Sequence, residues 1–187
     1  MKLTKLKTLL AGMLLIGASF NSNASIIGTG SMTASTQVDY WEITMDTASS
    51  LIIDVYAWGL DGGRLDPYIY LYQPDVTGSL VAANDDYFGA ESRTDGSTSS
   101  LDSYMNVALG AGSYTLAIGD YFLSDAEARS GYNSANSGGI GDYQITFTGT
   151  GLGSVTSSDG TVGVPEPTTL ALMGLGLIGL GFARRKA

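Results

Sequence analysis

Residues 67–84 read "PYIYLYQPDVTGSLVAAN" and contain two short apolar runs on either side of turn-forming residues. Side chains of a strand alternate between two faces, and Tyr, Ile and Val are favoured in strands, so each run is typical of a β-strand. Pro74, Asp75 and Gly78 lie between the runs and are typical of a tight turn. The stretch therefore predicts a β-hairpin.

Runs with the same period of two recur between residues 25 and 149, separated by Gly, Asp, Asn and Ser. "SIIGTG" at residues 25–30 is a weaker run, and a helix of one or two turns is indicated only at residues 123–131, "LSDAEARSG". The clear runs are "VDYWEITM", "LIIDVYAW", "PYIYLYQ", "SLVAAN", "YMNVAL", "SYTLAIG" and "DYQITFTG". Seven to eight such strands predict an all-β, antiparallel β-sandwich.

The charged residues are unevenly distributed along the chain. Six of the nine basic residues lie in the first seven or last four positions, and residues 25–163 carry 17 acidic residues against 3 arginines, a net charge of −14. Nucleic-acid binding needs Lys and Arg to neutralise phosphate, so this composition argues against a nucleic-acid partner. It suits divalent cations, or solubility in an exposed setting.

Histidine and cysteine are both absent from the sequence. Their absence excludes Ser-His-Asp and Cys-His nucleophilic sites, Cys/His zinc sites, haem ligation and disulfides. A hydrolase that uses a pair of carboxylates is still compatible with the composition, because it needs only Asp and Glu.

The N-terminus has the three parts of a secretory signal peptide. Three lysines precede an apolar stretch at residues 9–20 that is too short to span a bilayer, and Ser22-Asn23-Ala24 follows as a small-x-small cleavage site. We expect cleavage between Ala24 and Ser25, which makes residues 1–24 the signal peptide and places the mature chain outside the cytoplasm.

The C-terminus contains a second apolar run, at residues 168–183, followed by Arg184, Arg185 and Lys186. As a single hydrophobic helix the run would reach about 24 Å, a little short of a hydrocarbon core of about 30 Å. Basic residues favour the cytoplasmic side, so the body would lie outside. Glycines lower the helix propensity of the run, which suits a transient anchor in the inner membrane.

Val164, Pro165, Glu166 and Pro167 stand directly before this run, and the ordered combination closely resembles the PEP-CTERM sorting signal, also called the ice-binding protein C-terminal domain. The resemblance covers residues 164–187. It implies recognition by an exosortase, a membrane protease-transpeptidase that cuts near Pro-Glu-Pro in Gram-negative bacteria that make exopolysaccharide. On this reading residues 164–167 and 184–186 are recognition residues and catalyse nothing themselves.

Residues 149–163, "GTGLGSVTSSDGTVG", consist mainly of Gly, Ser and Thr and predict a flexible linker. The folded domain is then expected at residues 25–148. Its strand order resembles the bacterial pre-peptidase C-terminal domain, a small jelly-roll-like sandwich, through residues 39–41, 66–72, 84–86 and 110–116. The sequence differs from that family in two long loops and in having no protease domain before the sandwich.

Hairpin geometry predicts a metal site. If Tyr72 lies opposite Leu80, then Asp66 lies opposite Asp86, and like charges opposed across strands destabilise a sheet unless a cation lies between them. Calcium takes six to eight oxygen ligands and needs no His or Cys. The predicted ligands are Asp66, Asn84, Asp85, Asp86 and Asp102, with Asp61 a weaker candidate. The alternative is that such an acidic domain contains acidic clusters by chance.

Tyr68, Tyr70 and Tyr72 share one face of the predicted strand and form a tyrosine stripe. The stripe is a candidate sugar-stacking face, with exopolysaccharide as the ligand. The alternative is that the three rings pack under a loop or a neighbouring strand.

Taken together, the sequence predicts an exported, non-enzymatic protein that its tail sorts to the cell surface or extracellular matrix. Its expected partners are the exosortase and the secretion machinery, and calcium is its expected cofactor. Two alternatives are left open: an exopolysaccharide-binding module and a carboxylate-pair hydrolase.

Overall fold

The computed structural model describes residues 24–87, 95–134, 138–158 and 160–163. In these residues the chain forms ten strands and one short α-helix, with a single 3-10 turn at Leu60–Gly62. The elements are β1 (Ala24–Met32), β2 (Val38–Met45), β3 (Ser49–Tyr56), β4 (Pro67–Gln73), β5 (Ser79–Asn84), β6 (Tyr104–Leu109), β7 (Gly112–Asp120), α1 (Asp125–Ser130), β8 (Gly141–Gly149), β9 (Leu152–Ser157) and β10 (Thr161–Gly163).

The strands form two five-stranded sheets in which every pairing is antiparallel. One sheet has the order β10-β1-β8-β3-β6 and the other has the order β5-β4-β7-β2-β9. Without β9 and β10, the orders are 1-8-3-6 and 2-7-4-5, which is the strand order of a jelly roll. The predicted jelly-roll-like β-sandwich is confirmed, and each of the eight runs found in the sequence is a strand.

The core lies between the two sheets and follows the period of two. In β3, for example, Leu51, Ile53 and Val55 point inward and are fully buried. One row of buried polar groups in the core is fully paired: the Trp41 indole donates to the Tyr143 hydroxyl at 3.2 Å, and that hydroxyl donates to an Asp39 carboxylate oxygen at 2.8 Å.

The prediction of a flexible linker at residues 149–163 is corrected by the structure. Most of this segment forms β9, which pairs with β2, and β10, which pairs with β1. Leu152 and Val155 are only 7% and 5% exposed and belong to the core. Two buried apolar side chains are enough to fix an edge strand whose remaining residues are Gly, Ser and Thr, so the folded body extends to Gly163.

The two ends of the body lie beside each other. β1 begins at Ala24, where signal cleavage is predicted, and β10 pairs with it so that Ile27 lies opposite Gly163. Ser25, the predicted first residue of the mature chain, lies within β1 opposite Thr148. Both sheets and both apolar clusters are contained in residues 24–163, so this body is a self-contained folding unit.

The short helix α1 is defined by its caps. The Ser124 hydroxyl accepts the Glu127 backbone N–H at 3.4 Å, the Glu127 carboxylate accepts the Ser124 backbone N–H at 2.9 Å, and Gly131 ends the helix in the left-handed region. Leu123 and Ala128 pack on the outer face of the second sheet and form a second apolar cluster there. The helix predicted at residues 123–131 is therefore confirmed.

We expect Leu152→Ala to lower the free energy of unfolding of the body by about 2–5 kcal/mol, because it opens a cavity beneath β9. Ser154→Ala, at an exposed position of the same strand, should change it by less than about 0.5 kcal/mol. Urea unfolding of residues 25–163 measures both values. Equal stability of both variants and the wild type would mean that residues 149–163 contribute nothing to the fold.

Candidate metal centre

Three of the predicted metal ligands meet at the open end of the β4–β5 hairpin. Asp66 directly precedes β4, and Asp85 and Asp86 directly follow β5. One carboxylate oxygen from each of these residues lies within 4.8 Å of the others, and all three residues are half-buried. We call these three residues the acidic centre.

The register that brings them together differs from the predicted one. Tyr72 lies opposite Leu80, as expected, but Leu71 lies opposite Ala82, so Val81 is the extra residue of a β-bulge. Beyond the bulge every pairing is shifted by one residue. Asp66 and Asp86 are therefore not directly opposed across the strands, although their carboxylates still converge.

Two oxygens of the acidic centre are buried without a hydrogen-bond partner. They are Oδ1 of Asp66 and Oδ1 of Asp85. A buried carboxylate oxygen that has lost water and gained no donor costs free energy. These two atoms are the part of the centre that most needs a cation or a proton.

The pKa values of these groups follow from that environment. The pKa of Asp66 is raised from its usual 3.8 to about 7. Burial is the largest cause, and the negative charges of Asp85, Asp86, Asp120 and Asp102 add to it. Burial, followed by the charge of Asp86, raises the pKa of Asp85 to about 6. Both groups therefore resist ionisation unless a positive charge is supplied.

Backbone carbonyls add further oxygen atoms beside the centre. The buried Ser103 hydroxyl oxygen lies 3.1 Å from the Asn84 carbonyl oxygen and 2.7 Å from the Asp85 carbonyl oxygen, and it also contacts the carbonyl oxygen of Pro67. A hydroxyl has one proton and donates one strong hydrogen bond at a time. Acceptors therefore outnumber donors throughout this end of the hairpin.

Asn84 and Asp102, the other two predicted ligands, hold backbone groups. The Asn84 amide accepts the Tyr104 backbone N–H at 2.8 Å and donates to the Asp86 carbonyl at 3.1 Å. Asp102 is fully buried, where it accepts the backbone N–H groups of Ala57 at 3.0 Å and Trp58 at 2.7 Å as well as the hydroxyl of Ser97. Asp102 and Asp61 are outside the acidic centre, whereas the Asn84 amide is held beside it by its contact with the Asp86 carbonyl.

Asp120 is a neighbour of the centre that the sequence did not reveal. It is fully buried at the end of β7, its Oδ1 accepts the Asp66 backbone N–H at 3.3 Å, and its Oδ2 accepts the Gly139 backbone N–H at 3.0 Å. It lies there because Pro67 of β4 pairs with Asp120. Only the order of strands in the sheet, which the sequence does not state, places these two residues side by side.

The tyrosine stripe is largely covered. Tyr72 and Tyr70 are buried, and their hydroxyls donate to the Asp125 carboxylate at 2.9 Å and to the Leu123 carbonyl at 2.7 Å. The Arg129 guanidinium lies 4.4 Å above the Tyr72 ring centre. Tyr68, which stacks on Tyr70 at 4.7 Å, is only half-buried. The rings pack beneath the loop and helix that follow β7. This agrees with the alternative interpretation of the stripe, in which the rings are covered by a loop and do not bind sugar.

The predicted signal peptide before Ala24 and the sorting-signal residues 164–187 lie outside the described residues. Within the part of the chain that the structure describes, no helix is long and apolar enough to cross a membrane.

Comparisons with known proteins identify the tail. Residues 163–186 match the family model of the PEP-CTERM protein-sorting motif, which confirms the motif predicted there. Among solved structures, the chain is similar to the pre-peptidase C-terminal domain of a collagenase from Bacillus anthracis, with 16% identity, a TM-score of 0.42, and coverage of 67% of this chain and 88% of that one. A search of curated proteins found no match. The chain carries a PEP-CTERM sorting motif that begins at the end of the last described strand, and this motif indicates a secreted protein targeted by an exosortase.

Proposed function

We propose that the chain is an exported, non-enzymatic protein of the cell surface or extracellular matrix of a Gram-negative bacterium. An exosortase processes its tail, and calcium stabilises its body. The match of residues 163–186 to the sorting motif carries the first part of this proposal. The acidic centre, with its unpartnered buried oxygens, supports the second part.

The position of β10 bears on how the tail would be processed. β10 ends at Gly163, so Pro165 follows the last strand with one intervening residue. A cut near Pro-Glu-Pro would therefore leave the edge strand intact but would occur close to the folded body. The signal-peptide cut at Ala24 would fall at the same end of the same sheet, because β1 and β10 pair there. Both processing enzymes would then act on one end of the sandwich, the end nearest the inner membrane.

Calcium fits the chemistry of the acidic centre. The available ligands are all oxygen atoms, from carboxylates and backbone carbonyls, and calcium accepts six to eight of them in flexible geometry. Asp66, Asp85 and Asp86 would hold the ion, and water would complete its shell. The ion would supply the positive charge that keeps these carboxylates ionised despite their burial and mutual repulsion.

The number and burial of the carboxylates favour a shared cation over the hydrolase alternative. A carboxylate-pair hydrolase needs two carboxyl groups. Here one oxygen from each of three carboxylates lies within 4.8 Å of the others, and two carboxylate oxygens are buried without a donor. Calcium binds converging oxygens of this kind.

Without metal, we expect the stability of the body to fall as pH rises from about 5 to 7, above the range in which the lowered pKa values of Glu127, Asp125 and Asp75 act in the opposite direction. The folded pKa values of about 7 for Asp66 and about 6 for Asp85 lie above 3.8, so the folded state holds protons that the unfolded chain has released in this window. Asp66→Asn should make stability depend less steeply on pH, whereas the exposed control Asp46→Asn should leave that dependence unchanged. Urea midpoints measured in a chelator at pH 5, 6, 7 and 8 test this. Stability that is constant or rising across the window in the wild type contradicts the assigned environment.

At pH 7.5 we expect millimolar calcium to raise the melting temperature of the body. A ligand present at 100 times its Kd stabilises the folded state by about 2.7 kcal/mol, which corresponds here to a shift on the order of 5–10 °C. Asp66→Asn and Asp86→Asn should lose the shift, and Asp46→Asn should keep it. Thermal melts in calcium and in chelator measure the effect; identical wild-type curves would remove calcium from the proposal.

We expect the mature protein to begin near Ser25 and to end between Pro165 and Pro167. Replacing both prolines by alanine should leave the protein membrane-retained, because the exosortase would lose its recognition residues, while the neighbouring Thr168→Ala variant should be processed normally. Mass spectrometry of both termini reports the outcome. Recovery of chains ending in Ala187 from wild-type cells would contradict the sorting role.

A further inference from the structure

A cleft of about 290 Å³ opens beside the acidic centre. Its lining combines two aromatic side chains, one arginine and two carboxylates: Trp58, Tyr121, Arg64, Asp66 and Asp120. Cavities that pair a few aromatic surfaces with convergent polar groups are the usual form of a small-ligand site.

The two aromatic rings are exposed, and the backbone that carries them is held in place. Trp58 is 39% exposed, and its backbone N–H donates to the buried Asp102 carboxylate at 2.7 Å. Tyr121 is 37% exposed, and its backbone N–H donates to the Asp66 carbonyl at 2.8 Å. Its ring contacts that of Phe122 at 3.9 Å, and Phe122 has a φ of 68°, a left-handed conformation that costs energy for a bulky residue. The fold therefore fixes the backbone from which two large apolar side chains extend to the water interface.

Three polar groups around the rings have no hydrogen-bond partner among the described residues. Within the described ranges, the Trp58 indole N–H, the Tyr121 hydroxyl and the Arg64 guanidinium donate no hydrogen bond. An apolar ligand would cover these groups without pairing them, at a cost for each one. A ligand that fits must carry hydroxyl-type groups that donate and accept, beside an apolar face that stacks on aromatic rings.

A sugar ring has both properties, since its C–H face packs on aromatic rings while its hydroxyls donate and accept hydrogen bonds. We propose that this cleft binds a saccharide, with Trp58 and Tyr121 stacking against the ring and with Arg64 and Asp66 pairing with its hydroxyls. Asp102, through the backbone of Trp58, is a positioning residue for the site.

The shape of the surface points to a chain of sugars. A second cleft of about 400 Å³ shares Arg64 with the first, and a third of about 450 Å³ shares Leu60, Asp61 and Asp142 with the second and reaches residues 29–31. The three clefts are therefore neighbours on the surface between the aromatic pair and β1. A single monosaccharide would fill only one of them.

This site replaces the tyrosine stripe as the candidate carbohydrate surface, because Tyr70 and Tyr72 are covered. The inference deepens the proposed function and rests on it in one respect: a location outside the cell makes exopolysaccharide the natural ligand. The contacts themselves require only the folded body.

Tryptophan fluorescence provides a direct test, because the chain has two tryptophans, of which Trp41 is buried and Trp58 lines the cleft. We expect the purified exopolysaccharide of the producing bacterium to change the fluorescence of residues 25–163 and to retard the body in affinity electrophoresis. Trp58→Ala and Tyr121→Ala should weaken retardation by about tenfold or more, a loss on the scale of one stacking contact. Tyr132→Ala, which removes an aromatic residue that is 58% exposed and lines none of the three clefts, should behave as the wild type.

The wild type and both aromatic variants should show the same melting temperature, so that a loss of binding is not a loss of folding. No retardation of the wild type, or equal retardation of the wild type and both variants, overturns the proposed saccharide site. Retardation that persists while calcium leaves the melting curve unchanged would support the site and remove calcium from the proposed function. Shortening of the bound polymer would support the site and contradict a non-enzymatic role.

Discussion

The position of the acidic centre depends on β4, a strand that is packed on both of its faces. β4 directs Ile69 and Leu71 into the core between the sheets, and it directs Tyr70 and Tyr72 under the loop and helix that follow β7. Its two edges are paired with β5 and β7. With both faces and both edges occupied, only the ends of β4 are left to meet solvent, and Asp66 stands at one of them.

That end gathers negative charge because three neighbouring strands each place acidic residues there. Asp85 and Asp86 follow β5, and Asp120 ends β7. Burial and like charge keep Asp66 from ionising freely, and its buried Oδ1 finds no donor among the residues that the structure describes. The proposed calcium and the proposed saccharide cleft share Asp66, so an ion bound there would also fix one wall of the cleft. Stability and recognition would then depend on the same residue.

The alternation of apolar residues in the sequence was enough to locate eight strands and the hairpin, because each strand buries every second side chain and its residue types match that pattern. The bulge at Val81 could not be predicted, since an extra residue in a strand leaves the alternation of apolar residues on either side intact. β9 was missed because Leu152 and Val155 are its only buried apolar side chains in a Gly, Ser and Thr background. Asp120 was missed because its proximity to Asp66 depends on sheet order, a long-range property.

Calcium binding measured by calorimetry at two pH values, in buffers of different ionisation enthalpy, tests the account most directly. An ion that displaces the protons held by Asp66 and Asp85 should release about one proton per calcium near pH 6.5 and almost none at pH 8.5, given pKa values of about 7 and about 6. Release on that pattern, abolished by Asp66→Asn, is the predicted result. Absence of binding, or binding with the same proton release at both pH values, would contradict a cation at the acidic centre.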